Sequence, residues 1–211
     1  MIKEFCAENF TDIPRAIAAG ATRIELCDNL AVGGTTPSSA VMTASVAYAH
    51  AHDVPVFAMI RPRGGNFVYQ PIEIEMMVRD IETAIAAGVD GVVLGALTAD
   101  NWLNEAALAK LLAAAKGVAV TFHMAFDEIP VARQHEAIDV LHELGVARIL
   151  THGGDLTTGI AANYAHLANL VQHAQNKLVV LVGGGVNFDN YADVMRATGA
   201  VEVHGTKIVA L

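Results

Sequence analysis

A chain of 211 residues is long enough for one domain with a large core, and 54% apolar but only 6% aromatic residues make that core aliphatic. Such a composition favours helices packed over strands and argues against a β-sandwich. A formal charge of -9 with only 13 Lys plus Arg excludes a phosphate-tracking nucleic-acid surface, and no run reaches the roughly 18 apolar residues of a membrane helix.

Residues 2–6 open the chain as a first strand. The opening MIKEFCAENF lacks the continuous apolar stretch of a signal peptide, and two cysteines read as free thiols in a reducing cytoplasm. A repeated phrase follows: AAGATRIEL at 18–26, AAGVDGVVL at 86–94, ELGVARILT at 143–151 and ATGAVEVHG at 197–205. Each is a helix end, a glycine suited to the left-handed closing position (Gly20, Gly88, Gly145, Gly199), and then a strand. Within the first of these phrases and its continuation, Arg23, Glu25 and Cys27 alternate with Ile24 and Leu26, so three functional groups share one face of the strand. The GGTTPS loop then hands over to a helix with Ser38 placed as its cap.

Apolar β-rich runs at 54–60, 118–123 and 178–182 bring the strands to eight. Helical stripes lie between them: Ile74, Met77, Val78, Ile81 and Ile85; Val140, Leu141 and Leu144; Leu167, Leu170, Val171 and Ala174. Alternating strands and helices predict parallel pairing and an α/β fold, a closed (β/α)8 barrel formed as one domain over 1–211, with an open doubly wound sheet as the alternative. After the eighth strand only Gly205 to Leu211 remain, too few for a full eighth covering helix. The flank so exposed, with the apolar tail Ile208-Val209-Ala210-Leu211, is expected to pack against a second copy, giving a homodimer or higher homo-oligomer.

In such barrels the chemistry gathers at the C-terminal strand ends. Those ends carry Glu4, Cys6 and Glu8, then Glu25 and Cys27, Arg61 and Arg63, His123 and Asp127, Thr151 and His152, and His204. Three chemistries are open. Glycine turns at Gly153-Gly154, Gly183-Gly184-Gly185 and Gly205-Thr206, with Asn187 as a helix cap and Arg61 and Arg63 as guanidinium clamps, suit a small phosphate or carboxylate. Glu25, His123 and Asp127 are candidate acid–base groups. Cys6 and Cys27, on neighbouring strands, are a thiol pair for Cu(I), with Met59, Met124 or His123 as helpers; otherwise they are two small buried hydrophobes. The plain structural alternative for the charges is an internal network joining Arg23 to Glu4 or Glu25. There is no CxxC or HxxxH spacing, no nucleophile elbow, no Walker loop and no dinucleotide fingerprint. Lys207 is the one lysine at a strand end, which disfavours a Schiff-base aldolase.

RIELC with GGTTPS, IRPRGG followed by Phe67 and Tyr69, TFH with AFD, RILT with GG, the GGGV turn and EVHG together closely resemble the CutC family, named for copper homeostasis. The resemblance spans nearly the whole chain. It implies a TIM-barrel fold, a cytoplasmic location, an oligomer and a link to copper, with Cys6 and Cys27 as the natural thiol ligands. Met124 stands where many relatives have arginine, His152 where serine is common, and Asn66 where aspartate is common. Two functions follow: a Cu(I)-binding protein without turnover, or an enzyme acting on a small phosphorylated or carboxylated compound. The expected partners are a copper ion or a small anion, with no nucleic acid and no membrane.

Overall fold

The computed structural model describes residues 1–211 as eight parallel strands closed into a barrel in chain order. Strands and helices alternate as β1 (Ile2–Glu8), α1 (Ile13–Ala18), β2 (Arg23–Cys27), α2 (Ser39–His50), β3 (Val56–Met59) and α3 (Pro71–Ala86). The chain continues through β4 (Gly91–Leu94), α4 (Glu105–Ala114), β5 (Ala119–Phe122), α5 (Gln134–Glu143) and β6 (Arg148–Thr151). It ends with α6 (Tyr164–Ala174), β7 (Val179–Val182), α7 (Tyr191–Thr198) and β8 (Glu202–Gly205), and no helix follows β8. This is the (β/α)8 barrel lacking its eighth covering helix that the strand count predicts. No helix is long and apolar enough to cross a membrane.

The repeated glycines close helices as expected: Gly20, Gly88, Gly145 and Gly199 have φ of 96°, 90°, 83° and 76°, where a Cβ is costly. Ser38 caps α2, its hydroxyl accepting from the Val41 N–H at 3.3 Å. Asn187 is not the cap of α7. Its carboxamide accepts from the N–H groups of Asp189 and Asn190 at 2.9 and 3.2 Å, so the chain makes one more turn before the helix opens at Tyr191. The C-terminal tail also differs from expectation. Ile208 and Val209 are buried in this chain's own core, leaving Leu211 of the tail's large apolar residues exposed.

Strand alternation divides the core in two. Ile24, Leu26, Val56, Ala58 and their neighbours belong to one cluster of 52 buried apolar residues under the helices. The apolar cluster inside the barrel holds only five, Cys6, Cys27, Phe57, Met59 and Val93, and it shares the interior with Leu150 and with polar side chains. Register sets their levels: Glu4 lies beside Arg23, Cys6 beside Glu25, and Glu8 beside Cys27. On the other flank of β1, Glu4 lies beside His204.

Candidate functional site

The lowest layer is ionic. Arg23 donates from Nε to Glu4 and from Nη2 to Glu202 at 2.5 Å, and Arg148 Nε lies 3.4 Å from Glu202. Both guanidiniums lie near the Phe57 ring, with centroid distances of 5.1 and 4.7 Å. The internal network expected for Arg23 therefore forms with Glu4, but its second partner is Glu202 rather than Glu25. Burial alone would raise the Glu4 carboxyl. The hydrogen bond from His204 and the charge of Arg23 outweigh that and bring it down from 4.5 to about 2.

Above this layer His204 bridges to the thiols. Its Nδ1–H donates to Glu4 at 2.8 Å, and its Nε2 lies 3.6 Å from Glu25 Oε2. That same Glu25 oxygen is 3.3 Å from Cys6 Sγ and 3.5 Å from Cys27 Sγ. Burial opposes a charged His204, but Glu25 and the hydrogen bonds to Cys6 and Glu4 hold its imidazolium well above the usual histidine range. Burial also pushes Glu25 well above the carboxylate range. Cys6 is held well below the usual thiol range, first by a hydrogen bond from the Cys27 thiol and then by His204, against burial. Cys27, as the donor to Cys6 and fully buried, is pushed up. The two thiols, the Glu25 carboxyl and the His204 ring thus form one coupled buried cluster.

A cavity of about 210 Å³ opens over these groups. Cys6, Glu25, Cys27, Arg61, His123 and Thr206 all line it, so six of the side chains singled out in the sequence meet at one end of one barrel; Met59 and Met124 line it too. His123 follows β5 and caps the 3₁₀ turn Met124–Glu128, its Nδ1 accepting from the Ala125 N–H at 3.2 Å. It lies against Gly95, where a Cβ would come within 2.7 Å of Nδ1. Burial, then the nearby charge of Arg61, lowers its pKa from 6.5 to about 3, so the ring is neutral. Arg61 follows β3 and donates to three carbonyls, of Val32, Gly34 and Gly65, at 2.9, 3.1 and 2.8 Å, which ties together the loops after β2 and β3.

Other residues of the sequence set lie elsewhere. Arg63 turns away from the cavity to Glu73 at 2.5 Å and to the carbonyls of Asn66 and Val68. Asp127 does not meet His123. It accepts from the Thr151 hydroxyl at 2.5 Å and from the His152 N–H at 2.9 Å, bracing the loop after β6. Burial pushes it up, and those bonds oppose the shift. Gly153, Gly154, Gly183, Gly184, Gly185 and Gly205 do not line the cavity. Packing accounts for several of them: a Cβ at Gly153 would lie 2.7 Å from Leu167, at Gly183 2.7 Å from Leu150, and at Gly205 2.4 Å from the Val186 carbonyl. Sequence reasoning placed His204 at a strand end but gave it no role, and Glu202 and Arg148 went unnoticed. The polar alternation of Glu202 and His204 in EVHG, the same pattern as in RIELC, is the signal that marks them.

Comparison with known proteins decides the family. The CutC family profile matches residues 1–209. The chain belongs to the CutC family. It is 55% identical to a family protein CutC of Enterococcus faecalis over 209 residues, covering 99% of this chain and 100% of that protein. It is 47% identical to the corresponding CutC of Streptococcus pyogenes, with the same coverage of 99% and 100%. The crystal structure of a CutC from Streptococcus agalactiae, named for copper homeostasis, superposes with a TM-score of 0.97 at 46% identity, covering 99% of this chain and 100% of that one. A deoxyribose phosphate aldolase from Aeropyrum pernix, at 14% identity and a TM-score of 0.72, shares the barrel alone.

Proposed function

We propose that this CutC chain binds Cu(I) through Cys6 and Cys27 at the barrel mouth, in the service of copper homeostasis. One observation carries the reading: two thiol sulfurs converge on a single buried carboxylate oxygen, with all three ligand atoms within 4.8 Å of one another. Soft sulfur donors select Cu(I) over hard cations, and a thiolate is the form that binds it. Cys6 is already biased toward thiolate, and Glu25 Oε1 is buried with no hydrogen-bond partner. The thioethers of Met59 and Met124 line the same cavity. A second group, Glu4, Glu25 and His204, is equally compact, but Glu4 is already committed to Arg23 and His204. Two free cysteines suit a reducing cytoplasm, and the unhelixed flank of β8 and β1 suits a homo-oligomer.

The test is anaerobic competition for Cu(I) against a chromogenic chelator such as bicinchoninate. The native chain should withdraw one equivalent, and the Cys6→Ser/Cys27→Ser double variant should withdraw none. Unchanged affinity in the double variant refutes the assignment.

A further inference from the structure

Arg23 and Arg148, the other deeply placed arginines of the barrel, each have a carboxylate partner. Arg61 does not. It is 5% exposed, makes no ion pair in the chain, and satisfies its guanidinium with neutral carbonyls while its Nε–H finds no acceptor. A buried cation without a counter-charge is costly and calls for an anion. His123 supplies the second half of the argument. Because its Nδ1 accepts the Ala125 N–H, the proton of the neutral ring sits on Nε2, and that buried Nε2–H has no acceptor. Fixed this way, the imidazole neither takes a proton nor offers a lone pair to a metal at Nε2; it donates one hydrogen bond.

Phe67 links the two groups. Its ring is 4.9 Å from the Arg61 guanidinium and 4.8 Å from the His123 ring, and it is half-buried on the loop after β3. All three line the cavity that also holds the thiols. We propose that this cavity is a binding site for a small monocarboxylate, its oxygens held by Arg61 and by the His123 Nε2–H, with Phe67 packed against both groups. Size and charge narrow the class. A cavity of about 210 Å³ has room for about seven waters, less than the roughly 300–1,000 Å³ of drug-sized sites. One unpaired cation matches one negative charge; the rest of the wall combines the apolar Leu30, Met59, Met124 and Leu150 with the Cys6, Glu25 and His204 cluster, whose members already contact one another. A phosphate dianion would ask for more donors than these two groups give. The site does not depend on copper, since neither anchor is a thiol.

The experiment is calorimetric titration of the metal-free, reduced protein with acetate, lactate and pyruvate, and with lactamide and inorganic phosphate as controls. At least one carboxylate should bind with a Kd of about 1 mM or tighter, and lactamide and phosphate should bind more weakly. His123→Leu should weaken that carboxylate by about ten- to a hundredfold, the worth of one hydrogen bond to a charged group. The Cys6→Ser/Cys27→Ser double variant should keep it, which separates this site from the Cu(I) assignment. Long-range ¹H–¹⁵N spectra of the native protein should place the proton of His123 on Nε2 and move that resonance when the carboxylate is added. No carboxylate binding, equal binding of lactamide, preference for phosphate, or a proton on Nδ1 overturns the proposal. The spectrum decides the matter on native protein even where His123→Leu fails to fold.

Discussion

Glu4→Gln is the most informative single change to the ionic layer. The carboxylate touches both Arg23 and His204, is fully buried, and titrates near 2 where an unperturbed glutamate titrates at 4.5. A depression of that size is worth about 3 kcal/mol, at about 1.4 kcal/mol per pKa unit. Because the folded-state pKa lies below the unfolded one, this stabilisation is fully present above pH 4.5 and is lost as the pH falls towards 2. The glutamine is nearly isosteric but leaves Arg23 with one carboxylate and turns an ion pair with His204 into a neutral contact. At pH 7 the variant should therefore be less stable by about 3 kcal/mol, or about 6–12 °C in Tm at roughly 2–4 °C per kcal/mol for a chain of this size. Urea unfolding of both proteins at a series of pH values is the assay. The gap between them should begin to narrow as the pH drops below about 4.5 and close only towards pH 2, since native Glu4 then loses its advantage while the glutamine has none to lose. A gap under about 1 kcal/mol at pH 7, or one that stays constant through the acid range, refutes the view that Glu4 is a charged hub.

Gly95→Ala should place a methyl 2.6 Å from His123 Cε1, push the ring off its Ala125 contact, and cost about 1–3 kcal/mol by overpacking, read by thermal denaturation. The same variant should broaden or shift the His123 ring resonances; a native-like ring signal would count against the close fit. Iodoacetamide at neutral pH should label Cys6, 7% exposed and biased to thiolate, well ahead of Cys27, which is fully buried with its thiol pushed up; peptide mass spectrometry reads the ratio, and equal labelling contradicts the assignment.

Much of the barrel was legible because its signals are local and periodic. Each helix-ending glycine needs only its own backbone to announce itself, and the alternation in RIELC commits Arg23, Glu25 and Cys27 to the interior whatever the neighbours do. The convergence of Cys6, Cys27, Glu25, Arg61 and His123 then follows from barrel geometry, since one end of the sheet collects every strand's C-terminus. What stayed hidden depends on directions that no period encodes. Arg61 and Arg63 stand two residues apart in an irregular loop, yet one lines the cavity and the other turns to Glu73. Asp127 is only four residues beyond His123, but the intervening 3₁₀ turn swings it to the loop after β6. The glycine turns suggested an anion cradle, whereas a Cβ at Gly183 or Gly205 would collide with partners far away in sequence. Such partners become visible only once the chain is closed.

The ionic layer bears on what the cavity is for. Buried ion networks are seldom more stable than well-packed hydrophobic side chains of the same volume. A barrel floor of leucine and valine would hold the strands together at least as well as Glu4, Arg23, Arg148 and Glu202 do. What a hydrocarbon floor lacks is direction. Glu4 fixes His204 through Nδ1, which points the opposite nitrogen at Glu25, and Glu25 in turn lies within reach of both sulfurs. The chain of contacts runs from paired charges at the bottom to two thiols at the mouth, and each step fixes the orientation of the next. The cost of burying the charges is therefore best accounted for by the group they aim, the Cys6–Glu25–Cys27 cluster. Arg61, held by carbonyls and given no counter-charge, belongs to the other wall of the same cavity and to a different ligand.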